Sequence, residues 1–358
     1  MKNDIRKIYL IRHGKPDFPE NGGYCLGLTD MPLGTLGKLQ ACQLGKSLSD
    51  AGISRVFSSY LSRAAETAAA VSPDVTVLPG LEEMYAGEWE GLSFSEIREK
   101  WAELFKARGE NPTLSIPGSE KLEDGQARFA AALNRALAES SGDIAVVAHT
   151  TVIQSLISLI SGRELHKCTM EKPPYCSYYV LGYDGELHIL SGPVRTVPAL
   201  DNELCLALLQ TAVPENIILH CRAAAAEAVR IGGALASAGA ALDIDLIYRA
   251  ALLHDIARLE TDHAVRASAW LNELGYSAEA EVVRQHHGLD GITLSEAAVV
   301  FIADKCVKED RRVKLTERFD ESRHKCTDFN ALEAHRQQAL QAAAIQEMIN
   351  TFCGKAVI

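Results

Sequence analysis

Two histidines in the first half of the chain follow short apolar runs. Ile8-Tyr9-Leu10-Ile11 leads into Arg12-His13-Gly14, and Ile144-Ala145-Val146-Val147-Ala148 leads into His149-Thr150-Thr151. Each histidine thus sits just past the carboxyl end of a strand, the edge of an open α/β sheet where ligand sites form. A third run, Arg55 to Ser58, leads to Ser62-Arg63, an arginine at the start of a helix whose free backbone amides favour an anion. In the second half the polar groups lie inside apolar helices. His254 and Asp255 interrupt YRAALLHDIARL, Asp304 interrupts AAVVFIADKCV, and His220 ends Ile217-Ile218-Leu219. Burying such groups unpaired costs on the order of 2–7 kcal/mol each, so they need partners. On helices of one bundle they can converge on a metal. A buried hydrogen-bonded His254-Asp255 pair is the alternative, and His286-His287 before Gly288 could simply complement a helix C-terminus.

The elements that must position these groups fall into two patterns. Over the first 200 residues, short β-branched runs alternate with the helical stretches Leu36 to Leu48, Ser62 to Val71 and Gln126 to Glu139. A hairpin is expected from Tyr178 to Tyr183, Asp184-Gly185 and Leu187 to Leu190. After Pro198 the alternation stops. From about Pro214 the chain reads as helices: Asn216 to Leu235, Asp243 to Leu259, Ala264 to Leu274, Ala278 to His287 and Ser295 to Val307. Alanine, the strongest helix former, is dense there. A linker is expected near 196–212, and the last helix, Phe329 to Phe352, reads as a cap or a dimer element, which leaves a homo-oligomer open. The expected class is therefore α/β, with domains at 1–200 and 201–358, the second all-α.

The first half resembles the histidine phosphatase, or phosphoglycerate-mutase-like, superfamily over about residues 5–195. The resemblance rests on an ordered set. It runs Arg12-His13-Gly14, Gly27-Leu28-Thr29-Asp30, Pro32-Leu33, Gly37, Gln40-Ala41, Ser58-Ser59, Arg63, Glu66, Thr67-Ala68, Leu81-Glu82-Glu83, Gly87-Glu88-Trp89-Glu90-Gly91, Pro117-Gly118-Ser119-Glu120 and His149. It implies a three-layer α/β/α domain. It also implies His13 as a nucleophile that holds the phosphoryl group covalently. Arg12 and Arg63 would clamp phosphoryl oxygens bidentately, and His149 would offset the charge that gathers on them. Family spacing makes Glu83 the proton donor, with Glu82 as the fallback. The short form is most similar to alpha-ribazole phosphatases and broad phosphomonoesterases. Lys15-Pro16 and Gly34 depart from the usual pattern and bear on substrate identity.

The second half resembles the HD superfamily of metal-dependent phosphohydrolases over about residues 213–320. His220, His254-Asp255 and Asp304 carry the match, and His263, His286 and His287 stand at spacings seen in relatives with two metals. The local pattern around Ala303-Asp304-Lys305 is similar to HD proteins that hydrolyse dinucleoside polyphosphates, and Arg258 stands where many relatives have lysine. The resemblance implies a divalent metal (Mn, Fe, Ni, Co or Mg) and hydrolysis of a phosphate ester or anhydride, with a nucleotide as one candidate. No cofactor is implied for the first half. The expectation is a bifunctional phosphohydrolase acting on small phosphorylated molecules. The rival is a nucleotide-sensing regulator whose HD domain binds without turnover, against which the intact His220, His254, Asp255 and Asp304 argue.

Composition narrows the class. The net charge is -11, with Lys+Arg against Asp+Glu at 20 and 24 in residues 1–200 and 16 and 23 in residues 201–358. Neither half is basic, so duplex nucleic acid is not an expected partner. Nine scattered cysteines without a CxxC pair suggest neither disulfides nor a zinc finger. No apolar run approaches the roughly 20 residues that span a bilayer, and the N-terminus lacks a signal-peptide pattern. The expected setting is cytoplasmic, without membrane contact.

Overall fold

Continuous apolar runs become strands buried on both faces. In the computed structural model, residues 5–19, 23–168, 172–324 and 326–358 are described. The first unit, Met1–Pro198, holds β1 (Arg6–Arg12), β2 (Arg55–Ser58), β3 (Val75–Val77), β4 (Ile144–Ala148), β5 (Tyr178–Tyr183) and β6 (Leu187–Val194). They form one sheet in the order β3-β2-β4-β1-β5-β6. The four strands β3, β2, β4 and β1 run parallel, and β5 and β6 add antiparallel to the β1 edge.

The helices of this unit are α1 (Thr35–Leu48), α2 (Ser62–Val71), α3 (Phe94–Lys100), α4 (Ala102–Glu110), α5 (Leu122–Ala138) and α6 (Thr150–Ile160). Side chains alternate across each strand, so the two faces bury different sets. Tyr9, Ile11, Ala145 and Val147 pack with Ala41 and Leu44 of α1 and Ala64 and Ala68 of α2. Ile8, Leu10, Ile144 and Val146 pack with Phe129 and Leu133 of α5 and Val152 and Leu156 of α6. The result is a three-layer α/β/α arrangement. Helices α3 and α4, which had no counterpart among the expected elements, form a side cluster in which Ile97, Phe94 and Phe105 meet Trp89 and Ile116.

The second unit, Ala199–Ile358, is helical. It contains α7 (Asn202–Ala212), α8 (Glu215–Ser237), α9 (Ile244–Leu253), α10 (His263–Leu274), α11 (Ser277–Arg284), α12 (Glu296–Lys305), α13 (Leu315–Arg323) and α14 (Phe329–Cys353). A two-residue-stranded hairpin, β7 (Val307–Lys308) with β8 (Arg311–Arg312), follows α12. The stretch expected as a linker is mostly helix. Asp201 accepts from the Leu204 amide as an N-cap, and Leu204, Cys205, Leu208 and Leu209 form a buried stripe at helical spacing.

Two expected helices end early, for one reason. The Nδ1 of His254 faces the Ala251 carbonyl at 2.7 Å, and that of His286 faces the Val283 carbonyl at 2.7 Å. Each imidazole takes an acceptor that a further helical turn would have used, so α9 stops at Leu253 and α11 at Arg284. Among the described residues no helix is long and apolar enough to cross a membrane.

Candidate catalytic and metal-binding sites

The register of β1 against β4 pairs Arg12 with Ala148, and the His13 amide donates to the Ala148 carbonyl at 3.1 Å. The residues that follow, His13 and His149, therefore emerge side by side, with ring centroids 5.0 Å apart. Strand β2 pairs with β4 on its other side, which places the start of α2, and so Arg63, at the same sheet edge. Gly14 allows the loop to press on α1: a Cβ there would lie 2.7 Å from the Gly37 carbonyl oxygen.

The Nδ1 of His13 faces the Gly14 carbonyl at 2.7 Å and so carries the proton, leaving the Nε2 lone pair free. Burial, then Arg63 and Arg12, hold the His13 imidazole well below its ordinary pKa. The same causes, burial first, with Arg63, His13, Arg12 and Arg128, keep His149 neutral. Among the described residues, both ring nitrogens of His149, with Nε of Arg12 and Nε of Arg63, are buried without a hydrogen-bond partner. Three buried N–H groups and one imidazole lone pair left unsatisfied beside His13 are costly unless a ligand completes them, and the three donors call for acceptor oxygens.

The two arginines are less free than a plain bidentate clamp requires. Arg63 donates from its terminal nitrogens to the Thr29 and Gly27 carbonyls, both at 2.8 Å. Arg12 donates to the Pro173 carbonyl and lies 3.8 Å over the Tyr175 ring. What they retain for a ligand is Nε and the second hydrogens of the terminal nitrogens. The Gly27 carbonyl can turn toward Arg63 because Gly27 has φ +42°. Glu90 holds this loop by accepting from the Thr29 amide and hydroxyl, both at 2.6 Å, and from the Ala86 amide at 3.0 Å.

The adjacent carboxylates Glu82 and Glu83 part company. Glu83 lines a cavity of about 510 Å³ that also exposes Arg12, His13 and Arg63, and it accepts from the Thr151 amide at the start of α6 at 3.0 Å. Glu82 accepts from the Gly80 amide at 2.7 Å and pairs with Arg128 at 3.2 Å. Arg128, not singled out from sequence, also meets Glu120 through two bonds of 2.9 and 2.8 Å and donates to the Gly80 and Glu82 carbonyls at 3.0 Å. It holds the loop that carries Glu83. Also unforeseen is the aromatic wall of the cavity: Phe18, Tyr24, Trp89, Phe94, Phe105 and Tyr175. These residues are spread over 158 positions from Phe18 to Tyr175, so no local spacing announced them.

In the second unit, all seven histidines and aspartates singled out from sequence come together. Nε2 of His220 lies 3.1 Å from Oδ1 of Asp304, and Nε2 of His254 lies 3.6 Å from the same oxygen. Asp255 faces both ways, with Oδ2 3.7 Å from Nε2 of His254 and Oδ1 3.2 Å from Nε2 of His263 and 3.7 Å from that of His286. Nε2 of His287 is 3.1 Å from Nε2 of His263. The donor atoms form two groups, His220-His254-Asp304 and His263-His286-His287, with Asp255 between them.

These residues fit divalent metal. Carbonyls of Glu309, Ala251 and Val283 face Nδ1 of His220, His254 and His286, which turns each Nε2 inward; against the effect of burial, Asp255 and Asp304 raise His254 to about 9, so its Nε2 would give up a proton as a cation binds. Nε2 of His254, Nε2 of His286 and Oδ1 of Asp255 are buried without a hydrogen-bond partner. Burial opposes ionisation of Asp304, yet Lys305, His220 and His254 outweigh it and hold the carboxyl well below its ordinary range. Burial pushes His286 down to about 4 and, with His286 and Lys305, pushes His287 down to about 2, so both offer neutral nitrogen.

The sequence model of the histidine phosphatase superfamily, branch 1, matches residues 8–191, and that of the HD domain matches residues 217–308. The chain belongs to the histidine phosphatase superfamily and carries an HD domain after it. Over 159 residues it is 32% identical to bifunctional protein Rv2228c of Mycobacterium tuberculosis, a match that covers 43% of each chain. It therefore spans less than half the length of that relative. Over 167 residues it is 29% identical to phosphoserine phosphatase 1 of Hydrogenobacter thermophilus, covering 45% of this chain and 79% of that one. The mycobacterial glucosyl-3-phosphoglycerate phosphatase Rv2419c shares the fold, with a TM-score of 0.50 at 21% identity over 54% of this chain and all of that one.

Proposed function

We propose that the chain is a bifunctional phosphohydrolase, with a phosphohistidine mechanism in residues 1–200 and a metal-dependent one in residues 201–358. The observation that carries the first activity is the set of unpartnered nitrogens of Arg12, Arg63 and His149 around the free Nε2 of His13. In this reading, Nε2 of His13 attacks phosphorus as the bond to the leaving oxygen breaks, and protonated Glu83 gives that oxygen its proton. The Glu83 carboxylate then takes a proton from water, which attacks the phosphohistidine and releases phosphate and free His13. Arg12, Arg63 and His149 offset the charge on the equatorial oxygens throughout.

The substrate proposed for this half is a small phosphomonoester of the alpha-ribazole phosphate kind. The aromatic wall of the cavity supports an alcohol portion with a planar group. The relative named for phosphoserine supplies the competing candidate. In the second half, His220, His254, Asp304 and Asp255 would hold one divalent cation, and His263, His286 and His287, with the other oxygen of Asp255, a second. Manganese, iron, nickel, cobalt and magnesium are the candidates for such a donor set. Bound metal would supply electrophilic stabilisation of a phosphoryl group and lower the pKa of a water.

The test assays full-length protein and its His13→Ala variant on alpha-ribazole phosphate, phosphoserine and 4-nitrophenyl phosphate, with and without chelator. Hydrolysis should survive chelator and vanish in His13→Ala. A manganese-supported activity on phosphodiesters or anhydrides should show the reverse pattern. Undiminished phosphomonoesterase activity in His13→Ala would remove the first half of the proposal.

A further inference from the structure

We infer that Arg318 is an anion-binding specificity residue of the second site, and that the substrate there carries a second phosphoryl group beyond the one at the metal ligands. This rests on reading that site as a metal-dependent phosphohydrolase. The His220, Asp255, His287 and Asp304 side chains open on a cavity of about 590 Å³, within the range that holds drug-sized ligands and too roomy for one phosphate. Among the described residues, three cationic side chains line it: Arg258, Lys305 and Arg318.

Two of the three are committed to the ligand cluster. Lys305 donates to Oδ2 of Asp304 at 2.7 Å and to the His286 carbonyl at 3.2 Å. Nη1 of Arg258 lies 3.0 Å from Nε2 of His263, and its Nε is 3.8 Å from Oδ2 of Asp255. Arg318 is different. Among the described residues its buried Nε has no hydrogen-bond partner and no carboxylate pairs with its guanidinium, although Glu309 and Asp310 line the same cavity. A buried N–H left unmade is costly, and the planar fork of arginine matches phosphoryl oxygens in a way a lysine ammonium does not.

The helix that carries Arg318 is anchored to its neighbour. Arg318 lies on α13, which is tied to α14 by a 2.8 Å contact between Oγ of Ser322 and Nε2 of His335 and by edge-to-face packing of Phe319 on His335 at 5.4 Å. Among the described residues Arg318 makes no hydrogen bond or ion pair with the ligand cluster, and a second phosphoryl group in the same cavity is the partner we assign to it. The site thus selects polyphosphoryl compounds over simple monoesters.

The experiment uses the full chain with His13→Ala, so that the first site does not turn over and adds the same binding background throughout. Calorimetry measures methylenediphosphonate and orthophosphate at constant buffered free manganese, for this parent and for Arg318→Gln and Arg318→Lys. Arg318→Gln should weaken methylenediphosphonate by about tenfold to a hundredfold, and orthophosphate by less than about threefold. Arg318→Lys should fall between, and manganese content by elemental analysis should stay at the parent's value. Equal losses for both anions, no loss, or loss of manganese in Arg318→Gln would each overturn the inference. If the parent takes up no manganese and shows no chelator-sensitive hydrolysis, the metal-hydrolase reading fails separately. Arg318-dependent diphosphonate binding would then keep the anion subsite, and its absence would remove it.

Discussion

Replacing Arg128 by alanine should cripple protonation of the leaving group while sparing phosphoryl binding. Arg128 is not itself part of the cavity wall, but it bonds Glu120 and the Glu83 carbonyl, two residues that line it. It bonds Glu120 twice, at 2.9 and 2.8 Å, and the Gly80 and Glu82 carbonyls at 3.0 Å. Charge-assisted bonds are worth roughly 1.5–3 kcal/mol each when buried. The Arg128 side chain is 24% exposed, so solvent screening trims their sum to about 2–4 kcal/mol. For a unit of this size each kcal/mol shifts Tm by about 2–4 °C, so Arg128→Ala should melt roughly 5–15 °C lower in its first transition. Once released, the 80–83 loop should let Glu83 stray by about an ångström, a displacement that costs on the order of a hundredfold in rate. The loss should fall on kcat for alkyl phosphates by about 10- to 100-fold, and on 4-nitrophenyl phosphate by less than about threefold, because a good leaving group needs little protonation. KM for both should change little. Steady-state kinetics on a leaving-group series, run well below the melting temperature, reads this directly. Equal losses on both classes, or a loss confined to KM, would refute the argument that Arg128 acts through Glu83.

Glu83→Gln should reproduce the same leaving-group dependence more strongly, whereas Glu82→Gln should lower stability with little change in the kinetics; the reverse pattern would put the proton donor one residue earlier. Rapid quench with labelled substrate should trap acid-labile phosphate on wild type and none on His13→Ala. The buried His13 and His149 have folded-state pKa values depressed below the unfolded value of about 6.5, so the unfolded chain binds more protons in mild acid. Their contribution to stability is complete above pH 6.5 and is lost as pH falls toward the folded values. Between pH 7 and pH 5 the first urea transition of His149→Gln should therefore shift less than that of wild type. Asp255→Ala removes the one carboxylate that, among the described residues, faces both donor groups, and should abolish metal retention and manganese-supported turnover while leaving phosphomonoester hydrolysis intact; metal analysis and the two assays on one preparation settle it.

Much of this arrangement was legible in the order of the residues, because strong local patterns report burial. The apolar runs at Ile8 to Ile11 and Ile144 to Val147 had to be doubly covered strands, and polar groups inside the helices around His254 and Asp304 had to find partners. Those constraints are local: hydrophobic periodicity and the cost of an unpaired polar group act within a few residues of chain. Three features depended on which contacts the folded chain settles on. Most of the 196–212 segment, from Asn202 on, became a helix because its leucine stripe found a surface to bury against. His254 and His286 stopped their helices by bonding the carbonyls at 251 and 283, a competition decided by which way each imidazole is drawn. The choice between Glu82 and Glu83 needed Arg128, 45 residues further on from Glu83, to claim one carboxylate and leave the other to the cavity. Sequence by itself determined the candidate groups and the sheet edge and helices that would carry them. Tertiary structure alone decided which of them stay unpartnered, since an unpaired nitrogen on Arg12, His149 or Arg318 is defined by everything around it and by nothing in its own neighbourhood of chain.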